Sequence, residues 1–156
     1  MFGSKGKKLQ QTLDVAYGLL TQQVDLGDAE ESSAHRRLAT PYALGYVYGF
    51  ADTLTHRAGV ADEDRVLAQL LLVYARLFGV EQGSTIFGSC LQGQSDPQFV
   101  AGRAAGVSDV MAWLSSRGRD VPSALAEYLQ VAGRFPARTA VPQRRLSADA
   151  RRPPGR

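Results

Sequence analysis

One pattern occurs twice in this chain and limits what it can fold into. In TPYALGYVYGFADTLTHRAG, residues 40–59, Gly45, Gly49, Asp52 and His56 share one face of a helix at i, i+4, i+7 and i+11. In AGRAAGVSDVMAW, Gly102, Gly106, Asp109 and Trp113 repeat that spacing, and a shift of 57 positions lays GYVYGFADTL over GRAAGVSDVM. A glycine inside a helix costs about 0.8–1 kcal/mol relative to alanine, so this set of four costs roughly 3–4 kcal/mol. Such a cost is tolerable where the missing side chains let two helices approach closely. The stripes therefore predict two helices that cross at their glycines, in a chain built by internal duplication.

The flanking sequence predicts helices throughout. Leu9, Leu13, Ala16, Tyr17, Leu20 and Val24 form an apolar stripe of helical period over 9–24. Thr40–Pro41 is a helix start and Gly59 a helix end, which frames 41–57. Asp62, Glu63 and Asp64 favour a third helix running to Phe78 and stopping at Gly79. A short helix is expected over 84–92, a fifth from Asp96–Pro97 to about Ser116, and a sixth from Pro122 to Gly133. No stretch alternates with period two, so no sheet is expected. Tyr17–Gly18 and Phe87–Gly88 occupy corresponding places in the two halves. The fold class is all-α: about six helices in two pseudo-two-fold related three-helix units, spanning 9–79 and 83–133. The polar segment 25–39 is a loop or a short surface helix.

Charge divides the chain differently. Residues 134–156 hold seven of the 18 basic side chains and one of the 15 acidic ones, which leaves 11 basic against 14 acidic before them. All three lysines lie in Lys5, Lys7 and Lys8, within a basic extension 1–8. The sequence reads as a mildly acidic body between two basic ends. The Arg- and Pro-rich end buries too little apolar surface to offset its ordering entropy and is expected to be a flexible tail. Arg144, Arg145, Arg151 and Arg152 are its candidate contacts to nucleic acid, acting by salt-sensitive phosphate neutralisation, or equally to an acidic protein or membrane surface; the alternative to all of these is a solubilising tail. The lone Cys90 excludes an internal disulfide. No apolar run is long enough to span a bilayer or serve as a leader, so the expected setting is the cytoplasm. The excess of Arg over Lys points to a bacterial source.

The stripe residues carry two readings. With the two-fold axis across the crossing, the glycine helices run antiparallel, Asp52 faces the first turn of the 97–116 helix, and Asp109 faces the first turn of the 41–57 helix. Each carboxylate then anchors on free backbone N–H groups at the positive end of the other helix. Alternatively Asp52, His56, Asp109 and Trp113 line a ligand pocket, with Asp52 and His56 one turn apart as an orienter–base pair or two metal ligands. The second stripe has Trp113 where the first has His56, so no symmetric metal box exists, and His35 is the one other histidine. Neither a metal nor a cofactor is expected. GSTIFGSC lacks the lysine and the preceding strand of a phosphate loop, and Cys90 lacks a visible base. With no catalytic set in evidence, the expectation is a non-enzymatic helical module that binds another protein or itself. Nucleic-acid binding by the tail and small-ligand or metal binding at the stripe are the alternatives.

Overall fold

The computed structural model describes residues 3–27 and 37–134. Among them are six helices and no strand: α1 Gly3–Gly27, α2 Pro41–Arg57, α3 Glu63–Phe78, α4 Val80–Gln92, α5 Pro97–Ser115 and α6 Ala124–Arg134. The basic segment with Arg144, Arg145, Arg151 and Arg152, and His35 in the polar segment, lie outside the described residues.

Local chemistry sets most boundaries. Asp62 caps α3 by accepting from the Arg65 N–H at 2.9 Å, and Asp96 caps α5 through Gln98 and Phe99 at 2.7 and 3.2 Å. Pro41 and Pro97 occupy the first turns of α2 and α5. Thr40 precedes α2 as expected but does not cap it; its hydroxyl donates to the Arg37 carbonyl and accepts from Tyr128 Oη. Three starts differ from the sequence prediction, the smallest difference being at α6, which begins at Ala124 and not at Pro122 because Asp109 satisfies the Ser123 and Ala124 amides there. α1 begins at Gly3, because Lys5, Lys7 and Lys8 are adequate helix formers and no proline interrupts the turn, so that Gly6 is tolerated. α4 begins at Val80, since Gly79 alone, at φ 84°, turns the chain between α3 and α4. Gly83 is helical and buried; a Cβ there would lie 2.6 Å from the Ala75 Cα.

α2 forms the centre of the fold. Ten of its 17 residues are buried, including Tyr46, Val47 and Phe50 at zero exposure. It packs against α1, α3 and α5. Leu20, Leu70, Val73, Tyr74, Val110, Leu125 and Leu129 complete the core around it, and the Tyr74 hydroxyl donates to the Leu44 carbonyl at 2.7 Å. α1 packs on α6, and α3 on α4.

The α2–α5 contact is made at the four stripe glycines. Gly45 and Gly49 lie against the backbone of Phe99 and Arg103, and Gly102 and Gly106 lie against the backbone of Tyr42 and Tyr46. A shift of 57 exchanges Gly45–Phe99 with Gly102–Tyr42, and Gly49–Arg103 with Gly106–Tyr46. The contact is therefore reciprocal, but it corrects the expected direction. Contact positions rise together along both helices, so α2 and α5 run parallel. A repeat fixes which residues correspond; it does not fix whether the relating axis lies across or along the pair. Outside the pair the halves diverge. α2 is enclosed by neighbours, whereas only four of the 19 residues of α5 are buried: Phe99, Gly102, Gly106 and Val110.

Candidate functional site

The parallel crossing separates the two aspartates that the repeat makes equivalent. Asp109 Oδ2 accepts the Tyr46 hydroxyl at 2.7 Å and the backbone N–H groups of Ser123 and Ala124 at 3.1 and 3.0 Å. Tyr46 Oη in turn accepts from Gln23 Nε2 at 3.0 Å, and Gln23 Oε1 accepts from the Leu125 N–H at 3.1 Å. Three consecutive amides that open α6 are thus satisfied by side chains from α5 and α1, joined through a tyrosine of α2. Burial, and then the hydrogen bond to Asp109, hold the Tyr46 hydroxyl protonated far above the ordinary tyrosine range. Asp109 anchors a helix N-terminus, but that of α6 and not, as the antiparallel arrangement required, that of α2.

Asp52 has a different setting. Its Oδ1 lies 3.3 Å from His56 Nε2 and its Oδ2 lies 3.8 Å from Arg103 Nη2. The pair Arg103–Asp52 is what a shift of 57 makes of Tyr46–Asp109. A tyrosine hydroxyl seals one side of the crossing and a guanidinium covers the other. Arg103 also lies over the Tyr48 ring, 5.1 Å from its centroid. The His56 and Arg103 side chains are about half exposed, so this is a wet cluster at the edge of the crossing. Asp52 does not face the first turn of α5. Backbone contact fills the crossing at all four glycines, and both carboxylates have partners. Among the described residues, no three His, Cys, Asp or Glu side chains are grouped to hold a metal.

Trp113 lies elsewhere, on an open groove of about 260 Å³ between α1 and the C-terminal ends of α2 and α5. Val15, Leu54, Trp113 and Leu114 supply its apolar lining, with Lys8 and Arg57 as its charges. The stripe positions therefore divide three ways: the glycines into a helix crossing, the aspartates into two distinct clusters, and Trp113 onto a groove.

Cys90 is buried at 3% exposure, and burial pushes its thiol up from the usual range. Because the thiolate is the reactive form, labelling by an aromatic disulfide at neutral pH should be slow in the native protein and fast in denaturant. Labelling at the same rate in both states would place Cys90 at the surface.

Sequence reasoning passed over Gln23, which is 1% exposed. The available signal was a polar residue in phase with Leu13, Ala16 and Leu20, where a helix buries its apolar stripe. Among the described residues, no helix is long and apolar enough to cross a membrane. No protein-family model matches the chain, and no curated protein or solved structure matches it.

Proposed function

We propose that the chain is a helical protein-interaction module and that the outer side of α5 is a binding face. The carrying observation is the composition of that side. A helix lying on a protein surface ordinarily presents charged residues to water. α5 has two charged side chains in 19 residues, Arg103 and Asp109. Asp109 is bound to Tyr46 and α6, and Arg103 lies over Tyr48 beside Asp52. Around them Val100, Ala101, Ala104, Ser108 and Ala112 are exposed without a charge, Val100 at 51%. Small side chains on an exposed helix allow a second helix to approach closely, the geometry already used on the inner side of α5. This reading favours a partner element, from another protein or a second copy, over a small substrate.

The test places a photo-crosslinking amino acid at Ala104 and, as a control, at Gln82, which is exposed on α4. Irradiation in cells that make the protein should give a discrete adduct from position 104 and none from position 82. Equal yields at the two positions, or no adduct at 104, would remove α5 as a binding face. The mass of the adduct separates a second copy from a different protein.

A further inference from the structure

We propose that the groove between α1, α2 and α5 docks an acidic amphipathic helical segment of a partner protein. This rests on the reading of the chain as a protein-interaction module and names the chemistry of what one surface takes.

The groove has an apolar floor. Val15 and Leu114 are exposed at 41% and 38%, and Leu54 and Trp113 lie beside them. Two cations and no carboxylate line it: Lys8 from α1 and Arg57 from the last turn of α2. Neither is neutralised by an acid among the described residues. Arg57 Nη2 donates to Met111 Sδ at 3.2 Å, and a thioether is a weak acceptor, so most of the guanidinium fork remains available. Asp14, the nearest acid of α1 in sequence, is engaged by Arg76 at 2.7 Å and by Gln10 at 3.0 Å. An apolar floor with an unopposed cationic rim matches an occupant with apolar anchors flanked by carboxylates.

Size and shape choose among anionic occupants. Pockets that enclose a small molecule usually run to about 300–1,000 Å³ and bury most of its surface. At about 260 Å³ and open to solvent, this groove takes large side chains presented by a helix better than it encloses an acyl chain. The protein's own C-terminal segment is excluded by sign, since 134–156 carries seven arginines against one aspartate and would meet Lys8 and Arg57 with like charge.

Trp113 is the one tryptophan of the chain, so the groove contains its own reporter. The experiment titrates the full chain with a synthetic helical peptide carrying leucines at i, i+3, i+4 and i+7 among glutamates, and with a twin in which lysines replace the glutamates. The glutamate peptide should shift Trp113 emission to the blue, saturably, and bind about tenfold or more tighter than the lysine twin. The double variant Lys8→Glu/Arg57→Glu should reverse that preference. Both side chains are exposed, and an unchanged far-UV circular dichroism spectrum and melting curve verifies the fold. Three results would each overturn the proposal: no shift with the glutamate peptide, equal affinity for the twins, or an unchanged preference in the double variant. Decanoate shifting the emission where the peptide does not would assign the groove to an acyl carboxylate. Emission that shifts with protein concentration alone would assign it to a second copy. The crosslink at position 104 reads a different surface, so failure of the titration with that adduct intact removes the groove and leaves the wider reading standing.

Discussion

Gly102→Ala should destabilise the protein by about 3 kcal/mol or more, although alanine is the better helix former by about 0.8–1 kcal/mol. The added Cβ would overlap the Tyr42 carbonyl oxygen and lie 2.8 Å from its carbonyl carbon. The obstacle is backbone on a second helix, so no rotamer change relieves it, and α2 and α5 must move apart along their contact. Separation would disturb Tyr46 and Phe50, which are fully buried beside the crossing. Gly49→Leu and Gly106→Leu should be more severe still, because a longer side chain has no path out between the helices. The controls lie in the same protein. Gly18 and Gly88 are also helical, and a Cβ at either meets nothing within 4 Å. Gly18→Ala and Gly88→Ala should therefore stabilise by about 0.4–1 kcal/mol through the lower entropy of the unfolded chain. Urea unfolding of the full chain, followed by circular dichroism, gives all five values. A Gly102→Ala midpoint as high as that of Gly18→Ala would mean that the backbones of α2 and α5 do not touch.

The stripes made this contact legible in the sequence, and the reason is energetic. Four glycines at helical spacing are costly to keep unless something occupies the space they leave. Capping chemistry was equally direct at Asp62 and Asp96, whose side chains satisfy the amides that a helix start leaves open. Direction was not legible. Gly45 and Gly102 correspond under the repeat whether the helices run parallel or antiparallel, and only the pairing of Gly45 with Phe99 and of Gly49 with Arg103 decides between them. The fate of Trp113 was likewise hidden. It shares a stripe with Gly102, Gly106 and Asp109, yet it lies beyond the close contact, where the chain rounds into Gly118 at φ 83°. The groove beside it takes Val15 and Lys8 from α1, far away in sequence. Local periodicity carries no information about such a meeting. The chemistry of α5 was readable as a shortage of charge, but its exposure depended on which helices covered it, and that is a property of the assembled fold.

The same limit explains why two aspartates in equivalent positions should respond differently to removal. Asp109→Ala takes the charged acceptor from the Tyr46 hydroxyl, which belongs to a residue with zero exposure and is left with Gln23 Oε1 at 3.2 Å, and it takes the acceptor from two amides that open α6. Losing a hydrogen bond to a charged acceptor costs about 1.5–3 kcal/mol, and a lost helix cap costs about 0.5–2 kcal/mol more. The expected loss is therefore about 2–4 kcal/mol, with amide hydrogen exchange at 123–125 accelerated beyond the global change. Asp52→Ala removes contacts to half-exposed His56 and Arg103 side chains at 3.3 and 3.8 Å. Water screens and replaces those contacts, so its cost should stay within about 1 kcal/mol. Tyr46→Phe isolates the bond that links the two helices. Combined with Asp109→Ala in a double-mutant cycle, it should show a coupling of about 1–3 kcal/mol, because either single change already breaks the hydroxyl–carboxylate bond. Strict additivity would mean that Asp109 acts on α6 alone and that Tyr46 does not connect it to Gln23. Equal losses at Asp52 and Asp109 would mean that the repeat, and not the surroundings of each carboxylate, determines what it contributes.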